Sequence, residues 1–96
     1  MRTYIIGDRI RIVVNIFIEG AKTDPTELYF YVRTSKKDLL TYKFGVGIFI
    51  TKQEVGSYYV DYEPDEPGRY FYRWEAKGDV QGSQESGFEI RKSMVL

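Results

Sequence analysis

The side chains that most often do chemistry are missing from this sequence. None of its 96 residues is a histidine or a cysteine. Without histidine there is no imidazole to serve as a base near neutral pH, and the commonest metal ligand is gone. Without cysteine there is no thiolate nucleophile, no thiolate metal site and no disulfide framework. Any serine nucleophile would lack its His partner. Carboxylates remain. Asp61, Glu63, Asp65 and Glu66 cluster in one segment. Two such groups at the right separation can act as acid and base in glycoside hydrolysis, and loop carboxylates can hold calcium. These four, however, flank Pro64 and Pro67 in a turn-rich stretch without EF-hand spacing, where acidic residues are ordinarily solvated. Gly45-Val46-Gly47 lacks the further glycine and the helix of a phosphate-binding loop. The expectation is a chain that is not an enzyme, with no cofactor, no metal site and no small-molecule substrate.

Binding chemistry is better represented. Tyr29 and Tyr31 alternate with Leu28, Phe30 and Val32, and Phe71 alternates with Tyr70 and Tyr72. If the latter sets face a core, Tyr29, Tyr31 and Phe71 face outward, with Arg33 and Arg73 beside them. Tyrosine, phenylalanine and arginine are the residues enriched at protein interfaces. The plainer alternative is cross-strand aromatic pairing that only strengthens a half-exposed sheet. Val13 and Phe17 make a second, weaker apolar candidate. Arg9, Arg11 and Asn15 form a small polar stripe.

The elements that must position these residues are strands. Arg9–Ile18 alternates with period two, with Ile10, Ile12, Val14, Ile16 and Ile18 on one face. A loop is expected over Glu19–Thr26, a strand over Leu28–Arg33 and a polar turn over Thr34–Asp38. Leu39–Phe44 reads as the next strand, with Leu40, Tyr42 and Phe44 on one side. Ile48–Thr51 is a strand or a connector, and Lys52–Gly56 reads as a polar turn. Ser57–Tyr62 alternates again, and Glu63–Gly68 is a strong turn. Arg69–Lys77 is a long strand with Tyr70, Tyr72, Trp74 and Ala76 inward. Gly78–Gly82 turns the chain into a last strand, Gln84–Arg91, with Phe88 and Ile90 inward. Thr3–Ile6 is a short edge strand, and Met94-Val95-Leu96 is an apolar tail. About seven strands with turns every 8–12 residues are the signature of a sandwich or small barrel. The fold expected is all-β, an antiparallel sandwich in a single domain spanning residues 1–96.

One corner sharpens that expectation. Asp65-x-x-Gly68-x-Tyr70 resembles the turn before strand F of immunoglobulin-like sandwiches. Gly68 would allow the bend between sheets, and the Tyr70 hydroxyl would bond back to the backbone. No cysteine lies two residues after Tyr70, where Tyr72 stands, and the tryptophan falls on this strand as Trp74. An antibody-type domain is therefore not expected.

A wider resemblance runs along nearly the whole chain. Gly7-Asp8, Thr23-Asp24-Pro25-Thr26, Gly56-Ser57-Tyr58, Pro67-Gly68, Tyr72-Arg73-Trp74 and Phe88-Glu89-Ile90-Arg91 follow in order. In that order they resemble a family of small immunoglobulin-like proteins encoded among the virion genes of tailed bacteriophages. The resemblance implies a structural head, neck or tail accessory protein located in the virion and bound to other virion proteins.

Charge agrees with such a role. Lys plus Arg and Asp plus Glu number 14 each, so the formal net charge is zero. No long-range field draws the chain to nucleic acid or to an anionic membrane, and near-neutrality offers little protection against self-association into a homo-oligomer. Met1–Ile6 is too short for a secretory leader, and Ile10–Ile18 falls far below the roughly 20 residues of a bilayer span. Two other classes remain open. One is a carbohydrate- or cell-surface-binding module using the exposed rings. The other is an adaptor or chaperone that works through an edge strand.

Overall fold

The computed structural model describes residues 1–79 and 81–95. Its regular structure is all β, as the alternation predicts. Among the described residues ten strands follow in chain order: β1 (Arg2–Ile5), β2 (Ile10–Asn15), β3 (Phe17–Ile18), β4 (Ala21–Lys22), β5 (Glu27–Arg33), β6 (Leu39–Lys43), β7 (Ile50–Glu54), β8 (Ser57–Tyr62), β9 (Gly68–Lys77) and β10 (Gly82–Arg91). They form a five-stranded sheet in the order β1-β10-β9-β5-β6, a three-stranded sheet in the order β2-β8-β7, and a small β3-β4 ribbon.

One apolar cluster joins the two larger sheets. The three-stranded sheet contributes Ile10, Ile12, Val14, Ile50, Tyr58 and Val60. The five-stranded sheet contributes Leu28, Phe30, Val32, Tyr70, Trp74, Ala76, Phe88 and Ile90. Ring contacts cross between them: Tyr62 of β8 meets Tyr70 of β9 edge-on at 6.1 Å, and Phe44 meets Tyr58 at 5.0 Å. Because strand side chains alternate in direction, burying these residues turns Tyr29, Tyr31, Phe71 and Arg73 to the opposite face.

Several expectations need correction. Arg9–Ile18 is not one strand. Ile10, Ile12, Val14 and Ile16 are buried, but Ile18 is 38% exposed. The chain leaves the sheet at Ile16, whose amide donates to Gly56 (2.7 Å) and whose carbonyl accepts from Thr23 (2.9 Å). Phe17 and Ile18 then pair with β4 through a turn in which Glu19 and Gly20 both have positive φ, the condition for a tight two-residue hairpin. Part of the expected loop over Glu19–Thr26 is therefore strand. Lys52–Glu54 belongs to β7, not to a turn. Only Ile50 of that edge strand is buried, so hydrophobic alternation could not reveal it. β10 starts at Gly82, not Gln84. Pairing is not wholly antiparallel, since β1 runs parallel to β10 with Arg2 opposite Phe88 and Ile5 opposite Arg91. The Gly78–Gly82 turn and the Met94-Val95-Leu96 tail each include a position, Val80 and Leu96, that lies outside the described residues; Met94 and Val95 are exposed.

Candidate functional site

The outer face of the five-stranded sheet carries the aromatic and guanidinium groups singled out above. β5 and β9 are hydrogen-bonded neighbours, with Tyr29 opposite Glu75, Tyr31 opposite Arg73 and Arg33 opposite Phe71. The register brings the residues onto one face but interleaves rings with charges. The aromatic residues therefore form a stack and a groove that share Tyr31.

The first is the stack. Tyr29 and Tyr31 lie 6.1 Å apart with their rings 19° from parallel. Lys77 Nζ stands 4.8 Å and Lys43 Nζ 5.6 Å from the Tyr29 ring centroid, close enough for cation–π attraction. The Tyr29 hydroxyl donates to Glu27 Oε2 (3.2 Å), and Lys43 reaches Glu27 at 3.4 Å. Tyr29 is thus held by its own neighbours.

The second is a shallow groove of about 700 Å³ bounded by Tyr31, Arg33, Leu39, Phe71, Arg73 and Glu85, with Gly87 among the lining residues. Phe71 and Leu39 are each half exposed. Gly87 lies opposite Phe71 in the ladder. A Cβ there would sit 2.9 Å from Phe71 Cδ1, so the missing side chain lets the ring rest against β10. Arg73 is fixed by two carboxylates, Glu75 and Glu85, each at 3.0 Å. These partners hold its guanidinium firmly charged, and Lys77 with Arg73 lowers the Glu75 carboxyl. Arg33 instead donates to the Lys37 carbonyl (3.1 Å) and has no carboxylate partner among the described residues. The groove therefore offers an apolar floor, one internally neutralised arginine and one available guanidinium.

Leu39, Glu85 and Gly87 were not singled out from sequence. Gly87 carried the only local signal, a glycine inside a strand, which often marks close approach by a neighbour.

The corner residues sit at the start of β9. Gly68 has φ 128°, a region that disfavours other residues. The Tyr70 side chain is buried, and its hydroxyl donates to the Glu66 carbonyl at 2.6 Å. Asp65 is exposed in the turn before them. Tyr70→Phe keeps the ring but leaves the Glu66 carbonyl short of a partner. It is expected to lower unfolding free energy by about 1–3 kcal/mol, read from the urea midpoint; an unchanged midpoint would contradict that role.

The remaining candidates are engaged elsewhere. Arg11 forms a two-point pair with Asp61 (2.9 and 3.0 Å), and its guanidinium lies 3.9 Å from the centre of the Tyr59 ring. Glu66 pairs with Lys36 at 2.8 Å. Asn15 Oδ1 accepts from Ser57 (2.6 Å). Asp61 and Glu66 are thus drawn to different cations, and among the described residues no group of three or more potential ligands converges. Val13 and Phe17 are exposed, and Arg9 is exposed at the start of β2. Compared with known proteins, the chain matches no family model, no curated protein and no solved structure.

Proposed function

We propose that this chain is an immunoglobulin-like β-sandwich acting as a non-enzymatic structural component of a tailed-phage particle, and that it binds another virion protein through the outer face of its five-stranded sheet. The observation that carries the binding role is the groove between Phe71, Leu39 and Tyr31, with Arg33, which has no carboxylate partner among the described residues, at its rim. Exposed aromatic and aliphatic side chains beside an available arginine are what an interface centre is made of. Five strands of four to ten residues, at about 3.3 Å per residue and 4.8 Å spacing, give a face of about 570 Å². That is close to the roughly 600 Å² each partner buries at the low end of specific interfaces.

The strand order favours the immunoglobulin reading. Taking β1, β2, β5, β6, β7, β8, β9 and β10 as A′, B, C, C′, D, E, F and G gives sheets A′GFCC′ and BED, with the Tyr70–Glu66 bond at the corner before F. The placement in a particle rests on the ordered sequence motifs from Gly7-Asp8 to Phe88-Glu89-Ile90-Arg91.

Mass spectrometry of purified particles tests the placement; absence of the chain from them overturns it. Phe71→Ala and Arg33→Ala test the face. Each is expected to weaken association with the particle by tenfold or more, as hot-spot truncations do, while moving stability by about 0.5 kcal/mol or less because both are surface positions. Undiminished association in both variants, or association abolished by a soluble glycan instead, rejects the face as a protein interface.

A further inference from the structure

A second surface lies on the other side of β10, in the seam between β2 and β10. Among the described residues, both strands have an unpaired edge there. β2 is the outermost strand of its sheet. The Ile16 amide bonds to Gly56, so the residues of the same parity, Ile10, Ile12 and Val14, exchange hydrogen bonds with β8. The backbone groups of Arg11, Val13 and Asn15 therefore point to the open side. On β10 the Arg91 carbonyl accepts from Ile6 on the β1 side. By the same alternation Ser83, Glu85 and Gly87 face that side, yet β1 covers only Phe88–Arg91. One strand of this chain thus already lies along the β10 edge, and the same edge continues bare.

The inner side of the seam is also uncovered. Gly82, Gln84 and Ser86 occupy the inward positions that Phe88 and Ile90 fill further along β10, but all three are exposed. Beside them is a cavity of about 210 Å³ walled by Val14, Ile16, Leu28, Trp74 and Ala76. That is smaller than the roughly 300–1,000 Å³ of small-molecule sites and suits a single large side chain. The Trp74 indole in its wall is 2% exposed, and among the described residues its Nε1–H has no hydrogen-bond partner. A buried donor left unpaired costs about 1–3 kcal/mol, so this wall favours an entering group that carries an acceptor.

We infer that the seam accepts an extended segment of another polypeptide, which adds as a strand to the free edge of β2 and lodges one acceptor-bearing side chain against Trp74. Open backbone edges recognise a main chain by its alternating donors and acceptors, and a pocket beside them reads alternate side chains. A stretch of five or six residues matches the edge from Arg11 to Asn15. The segment is apolar at its inward positions except for the anchoring residue, for example Gln or Asn.

The test uses the full chain and a displayed library of random nine-residue peptides. Selection is expected to enrich sequences with alternating apolar residues and an amide or hydroxyl side chain. An enriched peptide, synthesised and titrated into labelled protein, is expected to shift the Trp74 indole N–H resonance and to slow amide exchange at Arg11, Val13 and Asn15. Val13→Pro removes one open-side N–H without touching the β8 ladder, and is expected to weaken binding tenfold or more. Phe71→Ala, on the outer face of the sheet and outside the seam, is expected to leave it unchanged. Failure of any peptide to enrich, an unmoved Trp74 resonance, or binding lost in Phe71→Ala but kept in Val13→Pro overturns the inference. Self-association that Val13→Pro abolishes would give the seam to a second copy and overturn a separate partner. Should Val13→Pro fold poorly, the Trp74 shift and the exchange pattern of the native chain still decide.

Discussion

Gly56→Ala is expected to cost about 2–5 kcal/mol of folding stability, a large part of the 5–15 kcal/mol that holds a typical domain together. Two effects add. Gly56 has φ 72°, in the left-handed region where a side chain is penalised by about 1–2 kcal/mol. A Cβ there would also lie 2.8 Å from the Thr23 nitrogen, 2.9 Å from the Ile16 carbonyl oxygen and 2.9 Å from Lys22 Cβ. Two of these are backbone atoms bonded to each other across the Thr23–Ile16 hydrogen bond, and Gly56 itself is tied to Ile16 on one side and Asp24 on the other. Nothing near it can recede cheaply, and overpacking of this kind costs about 1–3 kcal/mol. Gly45→Ala is the matched control. It has φ 90° but nothing within 4 Å of the added carbon, so only the backbone penalty applies. A urea titration in which the two variants lose the same stability would refute the close-approach term.

That contact also marks where the sequence stops being readable. The alternation of Leu28, Phe30 and Val32 against Tyr29 and Tyr31 is a local pattern. It places β5, its buried face and its outward rings without any knowledge of partners. The same holds for Tyr70 and Trp74 on β9. The break at Ile16 is not local, because Ile16 continues the apolar period of β2 without interruption. What ends the strand is the hydrogen bonding of Ile16 to Gly56 and Thr23, one of them 40 positions away. Strand β7 was hidden for another reason. An edge strand with both faces solvated buries one residue and leaves polar residues that read as a turn. On the candidate face, the sequence identified the side chains but not their order across strands. The offset pairing of Arg33 with Phe71 and Tyr31 with Arg73 separates the rings, and register is set by pairing partners, not by composition. Leu39 completes the groove only because β6 lies beside β5 with Leu39 opposite Arg33.

Asp24→Ala should be the second large loss, and its pH dependence distinguishes it from an ordinary surface substitution. The Asp24 carboxylate accepts from Lys52 Nζ (2.7 Å), the Gly56 amide (2.8 Å) and the Tyr58 hydroxyl (2.9 Å). Those bonds, the Lys52 one foremost, hold its pKa down at about 2, while burial, with the carboxylate beside it, pushes the Tyr58 hydroxyl up to about 12. A carboxyl with a depressed folded-state pKa stabilises the fold above its unfolded value, and that contribution is lost as pH falls through the folded value. Native protein is therefore expected to lose stability between about pH 4 and pH 2, and Asp24→Ala to flatten that part of the profile. Near pH 7 the variant leaves the buried Tyr58 hydroxyl without its acceptor, at about 1–3 kcal/mol. Tyr58→Phe in the same background removes the orphan, so the double variant should be more stable than the sum of the two single losses predicts. Strict additivity, or an acid limb unchanged by Asp24→Ala, would show that the carboxylate does not tie these segments together. The outcome bears on function as well. Asp24 lies in Thr23-Asp24-Pro25-Thr26 and Gly56 in Gly56-Ser57-Tyr58, two of the motifs behind the resemblance to virion proteins. If both serve as internal ties clamping the 23–26 segment to the start of β8, their presence specifies a scaffold. Recognition is then left to side chains outside the motifs, such as Leu39 and Phe71, which are free to differ with the partner.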